Sequence, residues 1–126
     1  MPNKFFSLSA KQQSIMGKIQ GKINTKIAFE IKAELGFLIK TTIAYWNVIT
    51  QIKHPSIQGK EKQVKETLAC PSEIRQSKKD KKVYLFYKKY NSKFLCVVVK
   101  IDKKKGFIVT AYYTEKIKEG ELKWKK

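Results

Sequence analysis

The sequence is poor in the side chains that bind metal ions. It has one histidine, His54, and two cysteines, Cys70 and Cys96, which do not form a CxxC pair. This set does not have the spacing of a zinc site. The eight carboxylates in residues 51–126 are scattered among lysines and include no DxD motif for magnesium. We therefore expect a protein without a metal ion or other cofactor.

Acidic residues are also scarce, and their shortage points to a polyanionic partner. Lys and Arg number 28 against 10 Asp and Glu, so the formal net charge is +18 at pH 7. Residues 1–50 hold 7 basic and 2 acidic residues, a net of +5, and residues 51–126 hold 21 and 8, a net of +13. Such a charge attracts phosphate-bearing molecules. It leaves open whether the partner is RNA, DNA, an anionic membrane or an acidic protein.

Long apolar runs are missing. No stretch is apolar and long enough to cross a bilayer, and the first residues, MPNKFFSLSAKQQ, lack the apolar segment of a signal peptide. A cationic amphipathic helix acting at membranes would leave the strand-forming half of the chain without a role. We expect a cytoplasmic protein with no membrane partner.

The first third of the chain repeats an apolar residue every four positions. The repeat comprises Ile15, Ile19, Ile23, Ile27, Ile31, Leu35 and Ile39. It predicts amphipathic helices over residues 9–53. One unbroken helix of that length is too long for so small a domain, so a break is expected near Gly36 or Thr41-Thr42.

After position 55 the pattern changes to one typical of strands. A short helix is predicted over residues 59–71, GKEKQVKETLACP. Three runs rich in β-branched and aromatic residues follow: VYLFYKKY (83–90), FLCVVVKI (94–101) and GFIVTAYYT (106–114). They predict a three-stranded antiparallel meander, and PSEIRQS (71–77) is a candidate fourth strand. The charged tail KIKEGELKWKK (116–126) is a candidate for a short edge strand.

Together these patterns predict an α+β fold, in which N-terminal helices pack on a three- to four-stranded antiparallel β-sheet. We assign residues 1–42 to an N-terminal amphipathic helical extension and residues 43–126 to one compact domain. The apolar stripe of the extension is too long for a small sheet to cover. It therefore predicts self-association into a homo-oligomer as well as packing on the sheet.

One histidine and one arginine are the leading candidates for chemistry. His54 follows a predicted helix, and Arg75 lies in the candidate fourth strand. Strand alternation places Thr110 and Tyr112 on one face of the sheet and Phe107 on the opposite, core side. RNA carries its own nucleophile, the 2′-hydroxyl, so its cleavage needs a base, a cation near the phosphate and a proton donor. The four polar residues supply such groups and predict a phosphodiester-cleaving site.

Each of these residues also has a structural interpretation. A histidine at a helix C-terminus commonly interacts with the carbonyl groups there. Arg75 could form an ion pair with Glu73 or Asp80, and Thr110 and Tyr112 are residue types typical of strands. A basic α+β protein of this kind could also bind RNA or DNA without cutting it.

The order of several short motifs resembles one nuclease superfamily. The motifs are Trp46, KHP (53–55), VKETL (64–68), Pro71, IRQS (74–77), VYLFY (83–87), VVVK (97–100), GFIVTAY (106–112) and Thr114. Residues 43–124 thereby resemble small bacterial, often cyanobacterial, proteins of the barnase–EndoU–colicin–RelE (BECR) superfamily, in the branch described from phage-associated nucleases. The resemblance implies a RelE-like fold, with N-terminal helices on a four-stranded antiparallel sheet. It also implies metal-independent RNA cleavage by a toxin that is bound by a cognate antitoxin.

The resemblance also assigns roles by position. It implies that four residues are catalytic: His54, Arg75, Thr110 and Tyr112. The residues expected to bind the substrate are Lys53, Ser77, Tyr87, Lys78, Lys79 and Lys82. The main hypothesis is an endoribonuclease that acts as the toxin of a bacterial toxin–antitoxin system, with RNA and a partly acidic antitoxin as partners. The alternative is a non-catalytic basic module that binds RNA or DNA.

Overall fold

The computed structural model describes residues 26–117 and 120–126. In these ranges the strands are β1 (Ile27–Lys32), β2 (Leu38–Thr42), β3 (Glu73–Gln76), β4 (Val83–Tyr90), β5 (Lys93–Asp102), β6 (Lys105–Thr114) and β7 (Glu121–Lys125). The helices are α1 (Ile43–Val48) and α2 (Glu61–Ala69). The single helical turns are the 3₁₀ turns Glu34–Gly36 and Pro55–Ile57 and the π-helical turn Ile49–Lys53.

All seven strands belong to one mixed sheet, in the order β1-β2-β6-β5-β4-β3-β7. Neighbouring strands are antiparallel except β2 and β6, which run parallel where residues 38–40 pair with residues 105–107. The predicted α+β fold, with N-terminal helices packed on a three- to four-stranded antiparallel sheet, is therefore wrong. The sequence located α2 and strands β3 to β6 correctly, and β7 is the short edge strand expected in the tail. Strands β1 and β2, which were not expected, widen the sheet on its other side.

The segment that forms β1 and β2 was predicted to be helical, and that prediction is wrong for residues 27–42. An apolar residue at every fourth position fits a strand as well as a helix, because four is twice the two-residue repeat of a strand. Phe29 supplies the intermediate position, and it is buried together with Ile39 of the paired strand. The chain reverses at Gly36, whose positive φ of 83° suits glycine. The part of the predicted helix over residues 9–25 lies outside the described residues.

Helix α1 begins at the second predicted break. The Thr42 side chain caps it, because its Oγ1 accepts a hydrogen bond of 3.0 Å from the backbone N–H of Tyr45. The helix therefore starts directly at the end of β2, beside the edge of β6. None of the helices in the described ranges has the length and apolar character needed to cross a membrane.

The two helices cover one face of the sheet, which we call the helix face. Four fully buried residues form a row across it, one from each of β3, β4, β5 and β6: Ile74, Phe86, Val97 and Ala111. The helical segments contribute Trp46, Ile49, Ile57, Val64 and Leu68 to the same core. Burying each large side chain of this kind stabilises the fold by about 1.5–3 kcal/mol, so this layer fixes the sheet on which the other face is built.

The opposite face, which we call the second face, carries the residues of functional interest. Two rows of paired residues cross it from β3 to β6: Arg75, Leu85, Val98 and Thr110, and beside them Glu73, Tyr87, Cys96 and Tyr112. A second, smaller apolar cluster forms here around Leu85, Tyr87, Cys96 and Val98. The strand register alone therefore brings Arg75, Thr110 and Tyr112 to the same face.

A β-bulge in β6 changes which of its side chains reach the second face. Val98 of β5 pairs with Thr110, whereas Val99 pairs with Ile108, so Val109 is an extra residue. The strict alternation predicted from the sequence fails at this point. Phe107, which alternation placed in the core, lies on the same face as Thr110 and is 47% exposed.

Candidate functional site

His54 lies where the helical segment passes the edge of β6. The π-helical turn Ile49–Lys53 continues α1, and the His54 backbone N–H donates to the carbonyl of Ile49 at 2.8 Å. The side chain is half-buried, and its ring centroid lies 5.3 Å from that of Tyr112, with an angle of 35° between the rings. The segment can lie at this edge because β2 pairs with β6 only at residues 105–107. His54 is thereby positioned against the second face.

Lys53 and Tyr45 fix the helical segment to the bulge. Lys53 Nζ donates to Tyr45 Oη at 2.8 Å and to the carbonyl oxygen of Val109 at 3.1 Å. Tyr45 Oη donates to the same carbonyl at 2.7 Å. Burial lowers the pKa of Lys53 and raises the pKa of Tyr45 to about 12. An ammonium has three N–H donors, so two of them anchor the lysine next to Thr110, and the third makes no hydrogen bond to the described residues.

Thr110 is the polar residue of the site that lacks a partner. Its side chain is 2% exposed, and within the described ranges its Oγ1 makes no hydrogen bond. A buried hydroxyl without a partner costs about 1–3 kcal/mol, and such groups are uncommon in folded proteins. The hydroxyl therefore has unused donor and acceptor capacity at a buried position, two residues from Tyr112 on the same strand face.

Arg75 lies apart from this group. Three strand spacings separate β3 from β6, so the backbones of Arg75 and Thr110 are roughly 14 Å apart. The Arg75 guanidinium forms an ion pair with Glu73, with Nε 2.6 Å from Oε2, and Nη1 donates to the carbonyl of Gly120 at 3.1 Å. The structure brings His54, Thr110 and Tyr112 together but leaves Arg75 apart from them. Of the two carboxylates that the sequence suggested as ion-pair partners, Glu73 and Asp80, Arg75 pairs with Glu73.

The predicted substrate-binding residues divide into buried and exposed sets. Ser77 shapes the β3–β4 turn, because its Oγ accepts from the backbone N–H groups of Lys79 and Asp80 at 3.2 and 3.3 Å. Tyr87 is 2% exposed and packs edge-on against Phe94 in the second-face cluster. Three turn lysines are exposed and lie at the β3–β4 end of the sheet: Lys78, Lys79 and Lys82.

Two features of the site could not be predicted from strand alternation or from the spacing of motifs. Sequence analysis assigned no role to Tyr45, yet its hydroxyl is part of the Lys53 anchor. The bulge at Val109 breaks a run of strand-forming residues without a glycine or proline to mark it. In the part of the chain that the structure describes, no three His, Cys, Asp or Glu side chains are grouped so that they could hold a metal ion.

One comparison with known families gives a match. Residues 60–113 match the model of a family described as a domain of unknown function, DUF4258. The matched range runs from the start of α2 almost to the end of β6, so it includes Arg75, Thr110 and Tyr112 but not His54. It covers less than half of the chain, and its description names no activity. Searches of the curated proteins and of the solved structures found no match to this chain.

Proposed function

We propose that this chain is a metal-independent endoribonuclease whose reacting groups are His54, Tyr112 and Thr110. One observation carries the proposal. The single histidine of a chain with a net charge of +18 packs its ring on a tyrosine, next to a buried hydroxyl that has no partner among the described residues. An imidazole, a phenol and a free hydroxyl are groups that accept, donate and position protons.

The reaction needs no nucleophile from the protein. The His54 imidazole takes the proton of the RNA 2′-hydroxyl, and the 2′-oxygen attacks the adjacent phosphorus. The bond from phosphorus to the 5′-oxygen breaks, and that oxygen takes the phenolic proton of Tyr112. The imidazolium then gives up its proton and the phenolate regains one, directly or through one water molecule, which restores both groups. The products are a 2′,3′-cyclic phosphate and a 5′-hydroxyl, and the enzyme is regenerated.

Charge on the phosphate oxygens requires donors that are already in place. In this proposal the remaining N–H of Lys53 donates to one oxygen, and Thr110 Oγ1, which is buried in this conformation, reaches another once the side chains that cover it move aside on binding. The Lys53 ammonium is fixed by Tyr45 and by the Val109 carbonyl, so little entropy is lost when it binds phosphate. Arg75 is roughly 14 Å away and paired with Glu73, so we assign the scissile phosphate to Lys53 rather than to Arg75.

The biological setting is also a proposal. The resemblance to BECR nucleases suggests a cytoplasmic toxin, and a ribonuclease made inside a cell requires an inhibitor. Such an antitoxin must bind a strongly basic surface, so it should present acidic residues. Co-purification of the chain with the product of a neighbouring gene, in a complex that high salt dissociates, would support this assignment.

A second function is a basic module that binds RNA or DNA without cutting it, and the ion pair between Arg75 and Glu73 is compatible with it. Arg75 is the only arginine of the chain, and its guanidinium is occupied by a carboxylate at 2.6 Å. A nuclease that depends on this arginine at the scissile phosphate would therefore be inactive in this conformation. A basic module that binds RNA or DNA through lysines alone has no such requirement.

The experiment that separates the two functions is incubation of the full-length chain with a structured RNA in EDTA. We expect wild type to give fragments ending in cyclic phosphate, and His54→Ala to cleave at least about 100-fold more slowly. Gln58→Ala, an exposed change in the same loop, is the control and should cleave like wild type. Salt-sensitive binding by wild type and His54→Ala, without cleavage by either, would make the binding module the function.

A further inference from the structure

The second face also carries a cleft beside the proposed reaction centre. It has a volume of about 370 Å³ and is formed by β1, β2 and the start of β6, together with the end of β5. Its lining residues are Glu30, Leu38, Lys40, Asp102, Lys105, Gly106 and Phe107. They fall into two cross-strand rows, one centred on Lys40 and Phe107 and one on Leu38 and Lys105.

The apolar part of the cleft consists of the Phe107 ring and the Leu38 side chain, which the described residues leave partly exposed. Phe107 is 47% exposed, and Leu38 beside it is 36% exposed. Phe107 reaches this face only because the bulge at Val109 reverses the alternation of β6. An exposed phenyl ring with an aliphatic neighbour offers a platform for another planar ring.

The polar part of the cleft is suited to a nucleotide. Lys40 and Lys105 are exposed, and neither forms a salt bridge within residues 26–117 and 120–126. Their ammonium groups are therefore available to phosphates. The Glu30 and Asp102 carboxylates in the lining can accept hydrogen bonds from the exocyclic amines of bases, although Asp102 Oδ1 also lies 3.9 Å from Lys82 Nζ.

The cleft is also close to the proposed reaction centre. Phe107 pairs with Lys100 of β5, and Thr110 pairs with Val98 of the same strand. Those two β5 residues are two positions apart, so Phe107 and Thr110 are separated by roughly 7 Å along the sheet. A polynucleotide bound at the reaction centre can therefore reach Phe107 with a neighbouring nucleotide.

We propose that this cleft is a subsite for single-stranded RNA, in which one unpaired base stacks on Phe107 and the flanking phosphates contact Lys40 and Lys105. The inference rests on RNA being the substrate in the proposed function and adds the requirement that the bound segment be single-stranded. A base inside a duplex cannot expose its face to the ring.

The test uses the full-length chain carrying His54→Ala, so that bound RNA is not cut. Affinity for a labelled single-stranded RNA of mixed sequence is measured by fluorescence anisotropy at one fixed salt concentration. We expect Phe107→Ala to weaken binding about tenfold, Phe107→Trp to bind like the parent, and Phe107→Leu to bind like the alanine variant. The control is Leu122→Ala on β7, which removes a side chain of almost equal exposure, 46%, and should not change the affinity.

The possible results distinguish this inference from the proposed function. If Phe107→Ala or Phe107→Leu binds as tightly as Leu122→Ala, the stacking subsite is wrong, whether or not wild type cleaves RNA. If only the aromatic variants bind tightly and wild type cleaves nothing, the subsite belongs to a binding module. If the parent binds no single-stranded RNA, both the subsite and the nuclease are wrong. Thermal unfolding of each variant confirms that the comparison is made between folded proteins.

Discussion

The ring of His54, at the end of a helical segment, packs at 5.3 Å on the ring of Tyr112 in the sixth strand. The contact is possible because β2 pairs only with the start of β6. The π-helical turn Ile49–Lys53 lies along the edge of β6 that β2 leaves open, while β5 pairs with the other edge. An imidazole and a phenol from distant parts of the sequence are thus neighbours. The relationship makes the hydroxyl of the tyrosine, and not only its ring, part of the proposed chemistry.

Removing that hydroxyl separates packing from proton transfer. Tyr112→Phe keeps the ring against His54, so we expect unchanged RNA affinity and a free energy of unfolding close to that of wild type. The cleavage rate should fall about 100-fold or more, since the leaving 5′-oxygen loses its proton donor. Single-turnover cleavage of a labelled RNA measures the rate. A rate within a few-fold of wild type would assign Tyr112 a packing role only.

The unpartnered hydroxyl of Thr110 should make the fold less stable than it could be. Thr110→Val keeps the shape and removes the buried polar atom, so we expect the free energy of unfolding to rise by about 1–2 kcal/mol while cleavage slows. Thr67→Val is the matched control, because Thr67 is also buried but donates to the Gln63 carbonyl at 2.8 Å. It should lower the free energy of unfolding by about 1 kcal/mol. Urea unfolding measures both changes, and equal changes for the two variants would contradict the account.

Tyr45 should make stability depend on pH in the alkaline range. Its pKa is raised from 10.0 to about 12 in the fold, so between these values the unfolded chain releases a proton that the folded chain keeps. Stability is therefore lost as pH rises above 10. Relative to Tyr45→Phe, wild type should lose about 1 kcal/mol of unfolding free energy between pH 9 and 11. Because the lysines titrate in both proteins, the difference between their urea-unfolding curves isolates Tyr45; identical pH profiles would show that the hydroxyl is not protected.

The β5–β6 turn places two lysines in a conformation that favours glycine or asparagine. Lys103 and Lys104 have φ values of 54° and 69°, as in the two-residue turns where Asn-Gly is preferred. The double change Lys103→Asn with Lys104→Gly should raise the free energy of unfolding by about 1–2 kcal/mol. The same replacement at Lys78 and Lys79 removes equal charge, but neither residue has a positive φ, so no gain is expected there. Thermal and urea unfolding decide the matter, and a gain at both turns would point to charge repulsion instead.

The sequence predicts the C-terminal half of the fold well because its information there is local. The gaps between strands β3 to β6 are short, and the apolar repeat changes from helical to strand spacing after α2. The structure confirms this helix and these strands. Residues 27–42 were misassigned because a four-residue apolar spacing satisfies both periods. The choice is made by the pairing of β2 with β6, a contact between distant segments that no local pattern contains.

The candidate site was predictable as a set of residue types but not as a geometry. Alternation placed Thr110 with Tyr112 correctly because no bulge separates them, and it misplaced Phe107 because one does. The Glu73 partner of Arg75 is two residues away on the same strand face, so sequence offered it as an alternative. The separation of Arg75 from Thr110 depends on the order of the strands in the sheet, which local sequence patterns do not determine.

The central claim, that the RNA 2′-hydroxyl is the nucleophile in a reaction driven by this protein, is tested most directly by changing that one group. Once a cleavage position in a short RNA is mapped in EDTA, a single 2′-deoxy nucleotide is placed there, and cleavage by the full-length wild-type chain is followed. The account predicts that cleavage stops at the modified position and continues elsewhere with cyclic-phosphate ends. Cleavage that persists at the 2′-deoxy position, or no cleavage of the unmodified RNA, would contradict it.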